Sequence, residues 1–171
     1  MNRIKILALT VACALVFAST GHAQEAGKKI AFLDLSKLFD NYQKTKEYDT
    51  TLESSHATFK KEHDTKVEKI KDAQSKLDLM KEDEKAKLQK DIDQMIADLN
   101  EFDRSKTTDL RKQRDEKVRE ILLEIEKIVS DFAKTNKYDL ILNDRVLIYG
   151  NETMDVTEQV LKILNDSYNK K

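Results

Sequence analysis

The scarce side chains on which covalent or metal chemistry usually turns are three histidines and one cysteine, and their spacing offers little. His56 and His63 are seven residues apart, so on a helix they share a face but stand about 10 Å apart along the axis, too far for one metal ion. Ser54 and Ser55 directly precede His56, and adjacent helical residues point to different sides, so no hydroxyl is set on an imidazole. Gly21 and Gly27 are six apart with no strand before them, which is not a loop that cradles phosphate. Carboxylates are abundant, but interleaved with Lys at helical spacing they read as a solvated, ion-paired surface. Asn151-Glu152-Thr153 and Asn165-Asp166-Ser167 match the glycosylation pattern, a match frequent by chance. No catalytic, cofactor-binding or metal-ligating residue is expected. The chemistry that remains is apolar and diffuse. Leu77, Leu88, Ile92 and Met95 have the spacing of residues that pack helix on helix, whereas Leu79, Met80 and Ile96 are the candidates for contact with a flexible partner, Met being the most adaptable of them.

Those residues sit in a stretch, Ser36 to Asn136, with no Gly and no Pro, in a chain that has three Gly and no Pro in total. Without the usual punctuation of loops, it reads as long amphipathic helix. As one straight helix it would hold its ends roughly 150 Å apart, so a hairpin is expected, bent where the apolar pattern lapses at residues 81–85. The outgoing arm carries Tyr48, Leu52, Phe59, Val67, Ile70, Leu77 and Met80, with polar Thr45, Ser55, His63 and Gln74 between them. The return arm alternates steps of four and three through Leu88, Ile92, Met95, Leu99 and Phe102, and again through Val118, Ile121, Ile125, Ile128 and Phe132. Lys106, Leu110 and Arg114 lie between. Tight contact is expected near the base and sparse contact further out, in arms of roughly 60 to 70 Å that bend.

Short apolar segments flank the helices. Lys29 to Leu35 reads as a strand buried on both faces, followed by a helix capped by Asp34 or Ser36. Residues 138–142 and 146–150, joined by Asn143-Asp144-Arg145, read as a tight β-hairpin. Asp155-Val156-Thr157-Glu158 opens a last helix with Val156, Val160, Leu161, Leu164 and Tyr168 on its apolar face. The expected class is α+β, mostly α. Residues 24–39 and 133–171 form a small β body of three short strands per chain, and residues 40–132 form a projecting helical hairpin. One chain cannot cover both faces of such a sheet, so the body, through Ile30, Phe32, Leu33, Leu140, Ile141, Leu142, Leu147, Ile148 and Tyr149, is the expected site of oligomerisation.

The totals agree with a projection on a small body. Hydrophobic residues are 39% and charged residues 37%, against about 45 to 50% and about 25% in ordinary domains. The first 23 residues resemble a cleavable export signal: Arg3 and Lys5, an apolar run from Ile6 to Phe17, then Gly21-His22-Ala23, with cleavage expected after Ala23. The run is shorter than the ~20 apolar residues of a membrane span, so no stable membrane anchor is expected. Cys13 lies inside it, and the mature chain would have neither thiol nor disulfide. The net charge is −1, and loss of Arg3 and Lys5 would leave 29 basic against 32 acidic residues, which argues against a nucleic-acid partner.

The chain resembles the Skp/OmpH family of periplasmic chaperones. The likeness rests on Lys29-Ile30-Ala31-Phe32-Leu33-Asp34 with Phe39-Asp40-Asn41-Tyr42, and on Tyr138 to Leu142, Leu147 to Asn151 and Asp155-Val156-Thr157 around a long charged insert. The resemblance implies a homotrimer whose β body carries three helical hairpins around a cavity. There it would hold unfolded outer-membrane proteins in the periplasm without ATP. Better-known members have basic arms, whereas residues 41–80 here have eight Lys against eight Asp plus Glu, so no lipopolysaccharide site is carried over. The alternative, from a different class, is a coiled-coil adaptor or spacer of the cell envelope with one defined partner.

Overall fold

Residues 27–170 are described by a computed structural model of the chain. The expected leader over residues 1–23 and its cleavage after Ala23 lie outside the described residues.

Strand β1 (Ile30–Leu33) is followed by helix α1 (Leu35–Asn41), whose N-terminus Asp34 caps by accepting from the Lys37 amide. Helix α2 (Gln43–Leu77) and helix α3 (Glu82–Thr135) form the hairpin, about 52 Å and 80 Å long at 1.5 Å per residue. Strand β2 (Leu140–Asn143), two 3-10 turns at Asp144–Val146 and Glu152–Met154, and helix α4 (Thr157–Tyr168) complete the chain.

The reversal expected at residues 81–85 comes slightly earlier, over residues 78–81. Glu82, Asp83 and Glu84 instead make the first turn of α3, where their charges complement the unpaired amides of a helix start. A second difference is a break the periodicity does not announce. Tyr42 is extended, with ψ 128°, and separates α1 from α2. Its ring is 1% exposed and meets the Tyr168 ring edge-on at 5.9 Å, while the freed Gln43 amide donates to Asn165 Oδ1 at 2.8 Å. Packing against α4 thus overrides local helix propensity.

The hairpin is held at two places. At the base, Ala31, Leu33, Leu38, Tyr42, Ile121, Ile125, Phe132, Val156, Val160 and Leu164 form one core. Contact does not thin steadily outward as the pattern suggests, because a second core gathers Ile70, Ala73 and Ile92 with Leu77, Leu88 and Leu99 near the tip. Ala73, rather than the expected Gln74, fills the seam there, its small side chain lying buried beside Ile70 and Ile92. On α2, the hydroxyls of Thr50, Thr51, Ser55, Thr58, Thr65 and Ser75 donate to carbonyls one turn back, a pattern that bends helices.

Helix α3 ends in a left-handed turn. Lys137 has φ 57°, Tyr138 N donates to Ala133 O and Lys137 N to Lys134 O, the paired bonds that close a helix C-terminus. The Lys29 ammonium donates to Asn136 O at 2.9 Å and sits 4.1 Å from the Tyr138 ring centre, tying the start of β1 to this turn. β1 and β2 then pair in parallel, Ile30 with Leu140 through Leu33 with Asn143, the whole arm being their crossover connection.

Two expectations are corrected in the body. β1 is not buried on both faces within the chain, since Ala31 and Leu33 are buried while Ile30 is exposed. The third strand and its hairpin do not form. Asn143 Oδ1 accepts from the Arg145 amide, the Leu147 amide bonds to Asp144 O, and the chain turns away, leaving a two-stranded sheet. Beyond it, Gly150 lies against Phe32 so closely that a Cβ would meet Phe32 Cε1 at 2.5 Å. Helix α4 starts with Asp155 accepting from both the amide and the hydroxyl of Thr157. Val156, Val160 and Leu164 are its buried face.

Candidate functional site

Side chains alternate along a strand, and partners in register share a face. Ala31, Leu33 and Ile141 therefore face the helices, and Ile30, Phe32, Leu140 and Leu142 face the other way. One edge of β1 is covered, because Phe32 bridges to Asp155, the Val156 amide donates to Phe32 O, and the Asp34 amide donates to Thr157 Oγ1. The outer edge of β2 has no neighbouring strand among the described residues. Past it, Val146, Ile148 and Tyr149 are exposed by 70%, 106% and 83%. Of the nine body residues singled out from sequence, Leu33 and Ile141 pack inward, and the other seven lie on the outer face, where Ile30 and Leu140 are exposed and Phe32 and Leu142 half-buried, or in the segment after it. Val146, read from sequence as the first residue of the hairpin's second run, was not among them.

The root of the arm is polar and closely bonded. The Lys44 ammonium donates to Glu120 Oε1 at 2.7 Å and to Glu124 Oε2 at 2.6 Å, and Lys117 reaches Glu120 at 2.7 Å. Burial opposes the Lys44 charge, yet the hydrogen bonds to Glu120 and Glu124 prevail and raise its pKa. Hydrogen bonds from Lys117 and Lys44 hold the Glu120 carboxyl at about 2. Burial, with the nearby Glu124 charge, pushes the Tyr42 phenol up to about 12. The Tyr168 hydroxyl donates to Glu47 Oε2 at 2.7 Å, so α4 grips α2 through Asn165 and Tyr168 together. These groups fix the direction in which the arm leaves the body. None is a nucleophile beside a base.

Further out, Phe59 and Phe102 meet at 5.7 Å, and His63 spans the arm between Asp64 and Asp103. Among the described residues no group of three or more His, Cys, Asp or Glu could hold a metal ion, and no helix is long and apolar enough to cross a membrane. At the tip, Leu79 is 88% exposed and Met80 half-buried, while Met95 and Ile96 are each a little over a third exposed. Leu122 and Leu123, exposed on α3 near the base, were not singled out. They sit between the seam positions Ile121 and Ile125, and their place off the seam was the signal available.

The site is thus a partly covered apolar sheet face, with exposed Val146, Ile148 and Tyr149 beyond it, at one end of a long charged arm that bears scattered apolar side chains at the other. A model of the family described as outer membrane protein (OmpH-like) matches residues 29–164. The fold is similar to the crystal structure of a candidate outer membrane chaperone (OmpH-like) from Caulobacter crescentus CB15, with a TM-score of 0.76 and 11% identity over 82% of this chain and 85% of that one. No curated protein is significantly similar in sequence.

Proposed function

Since this chain belongs to the OmpH-like family, we propose that it is an ATP-independent holdase of the periplasm, a homotrimer that encloses unfolded outer-membrane proteins between its arms and prevents their aggregation. The observation that carries the reading is the exposed apolar set Ile30, Leu140, Val146, Ile148 and Tyr149 beside the edge of β2 that has no neighbouring strand among the described residues. A strand edge and an apolar patch exposed together are surfaces that associate. Copies joined through Ile30, Phe32, Leu140, Leu142, Leu147, Ile148 and Tyr149 bring the arm roots side by side and direct the arms to one side, leaving a hollow between them.

Binding in that hollow is by number rather than by a fitted pocket. Leu79, Met80 and Ile96 on each arm offer single apolar contacts, each worth little, which several arms around one client convert to useful affinity through high local concentration. The charged faces of α2 and α3 keep the empty arms soluble. No nucleotide is needed for such a cycle, because the client leaves by folding elsewhere. With arm charges balanced, lipopolysaccharide is not part of the proposal.

The test is to dilute a urea-unfolded outer-membrane barrel protein into buffer with and without this protein and follow light scattering. Suppression is expected at one trimer per client, and to fall away in Ile148→Asp/Tyr149→Asp, which sedimentation should show as a monomer. Unchanged scattering at excess protein overturns the holdase reading. Recovery of a single stoichiometric folded partner from envelope extract would point to the spacer instead.

A further inference from the structure

Between the base core and the tip core the arm has no buried apolar residue, and its seam holds Lys106, Leu110 and Arg114. In that waist, beside the Phe59–Phe102 ring contact and Lys66 over Phe102, His63 faces a carboxylate of the opposite helix. Its Nε2 lies 3.5 Å from Asp103 Oδ2 on the opposite helix, and its Nδ1 lies 3.2 Å from Asp64 Oδ1 on its own. We propose that His63 is a proton-operated clasp, which ties the two helices of the arm together when its ring is doubly protonated and releases them when it is neutral.

The number of donors on the ring sets how many carboxylates it can hold. A neutral imidazole carries one N–H and one lone pair, so with a carboxylate at each nitrogen one of the two must face the lone pair. The imidazolium alone donates to both. Asp103 Oδ1 is buried without a donor among the described residues, and Oδ2 of the same carboxylate faces His63. One side of the ring is apolar, where Phe59 approaches edge-on at 6.4 Å. The charged groups around the waist are of both signs. Lys66 from α2 and Lys106 from α3 sit 5.0 and 6.0 Å from the Phe102 ring centre. Glu62 and Lys69 on α2 and Asp109 on α3 line the hollows beside Phe59 and Phe102.

The doubly protonated ring therefore pairs with both carboxylates at once, whereas the neutral ring donates to at most one of them and carries no charge toward Asp103, so the cross-arm link weakens when the proton leaves. With the clasp closed, the two cores are joined into one stiff rod. With it open, each core holds its own end and the waist between them flexes. A chaperone arm would then be stiffer in mild acid, but the inference concerns the arm alone and is tested without client.

The experiment places spin labels at Lys60→Cys and Arg104→Cys in a Cys13→Ser background, diluted with unlabelled protein so that distances within one chain dominate. The distance distribution should be narrow at pH 5.5 and broad at pH 8. In parallel, amide exchange of residues 59–66 and 99–106, corrected for intrinsic rates, should be about three- to five-fold slower at pH 5.5, the size of an exposed ion pair. His63→Gln and Asp103→Asn should abolish both pH effects, and His56→Gln, an exposed histidine on the same helix, should leave them intact. Nitrogen-15 shifts of the His63 ring should follow the same transition. A wild-type arm indifferent to pH, or an effect that survives in His63→Gln, overturns the proposal.

Discussion

The separation of the arm into two cores makes a quantitative prediction for Ile92→Ala. Ile92 is 1% exposed and packs with Ile70 and Ala73, inside a shell of Leu77, Leu88 and Leu99. Truncation removes three carbons, about 2.4 kcal/mol at ~0.8 per buried methylene. The cavity contribution should be small, because two helices near a free end can close over the gap, so ~2 to 3 kcal/mol is expected, the low end for such substitutions. None of those side chains belongs to the base core, so the loss falls on the tip alone. About 2 kcal/mol is roughly a 30-fold rise in amide exchange over residues 70–77 and 88–99. The amides of α1, β1 and α4 should not change. Native-state hydrogen exchange by mass spectrometry reads both. Ile121→Ala, from a position 0% exposed in the base core, should raise exchange throughout the chain instead. An even loss of protection after Ile92→Ala would refute the reasoning, since it would mean that the arm and body open as one unit.

Three further outcomes follow from the root and the body. Glu120 has its pKa lowered from 4.5 to about 2, so its contribution is present above pH 4.5 and is lost as pH falls toward about 2; circular dichroism of the wild type should show this weakening, and Lys44→Met should reduce it. Because Glu120 is half exposed, solvent screening keeps that contribution below about 1 kcal/mol. Asn165→Ala frees the Gln43 amide at the start of α2 and should cost ~1 kcal/mol, read as faster exchange at residues 43–46 with the tip unaffected. Gly150→Ala sets a methyl 2.5 Å from Phe32 Cε1, displacing that ring, and should lower the thermal midpoint by the equivalent of ~1 to 3 kcal/mol, with Gly150→Val worse.

What the sequence determined by itself is what depends on neighbours three and four residues away. A hundred residues without Gly or Pro, with Leu, Ile and Val at alternating steps, can do little but form paired helices. Asp34 announces its helix because a cap is a local bond, and Asp155 announces the turn into the last one by accepting from the Thr157 amide two residues on. Val156, Val160 and Leu164 announce their buried face because one helical face repeats at that spacing. Tertiary structure alone decided the rest. Residues 146–150 have the composition of a strand but no partner strand beside them among the described residues, and a strand without a partner is not a strand. Tyr42 has good helical neighbours on both sides, yet leaves the helix because Tyr168 and Asn165, over a hundred residues later, reward it for doing so. The parallel pairing of β1 with β2, the burial of Ala73 at the tip and the meeting of His63 with Asp103 are of the same kind. Each depends on which residues of a distant segment arrive opposite, and that is fixed only once the turn at residues 78–81 sets the register of one helix against the other.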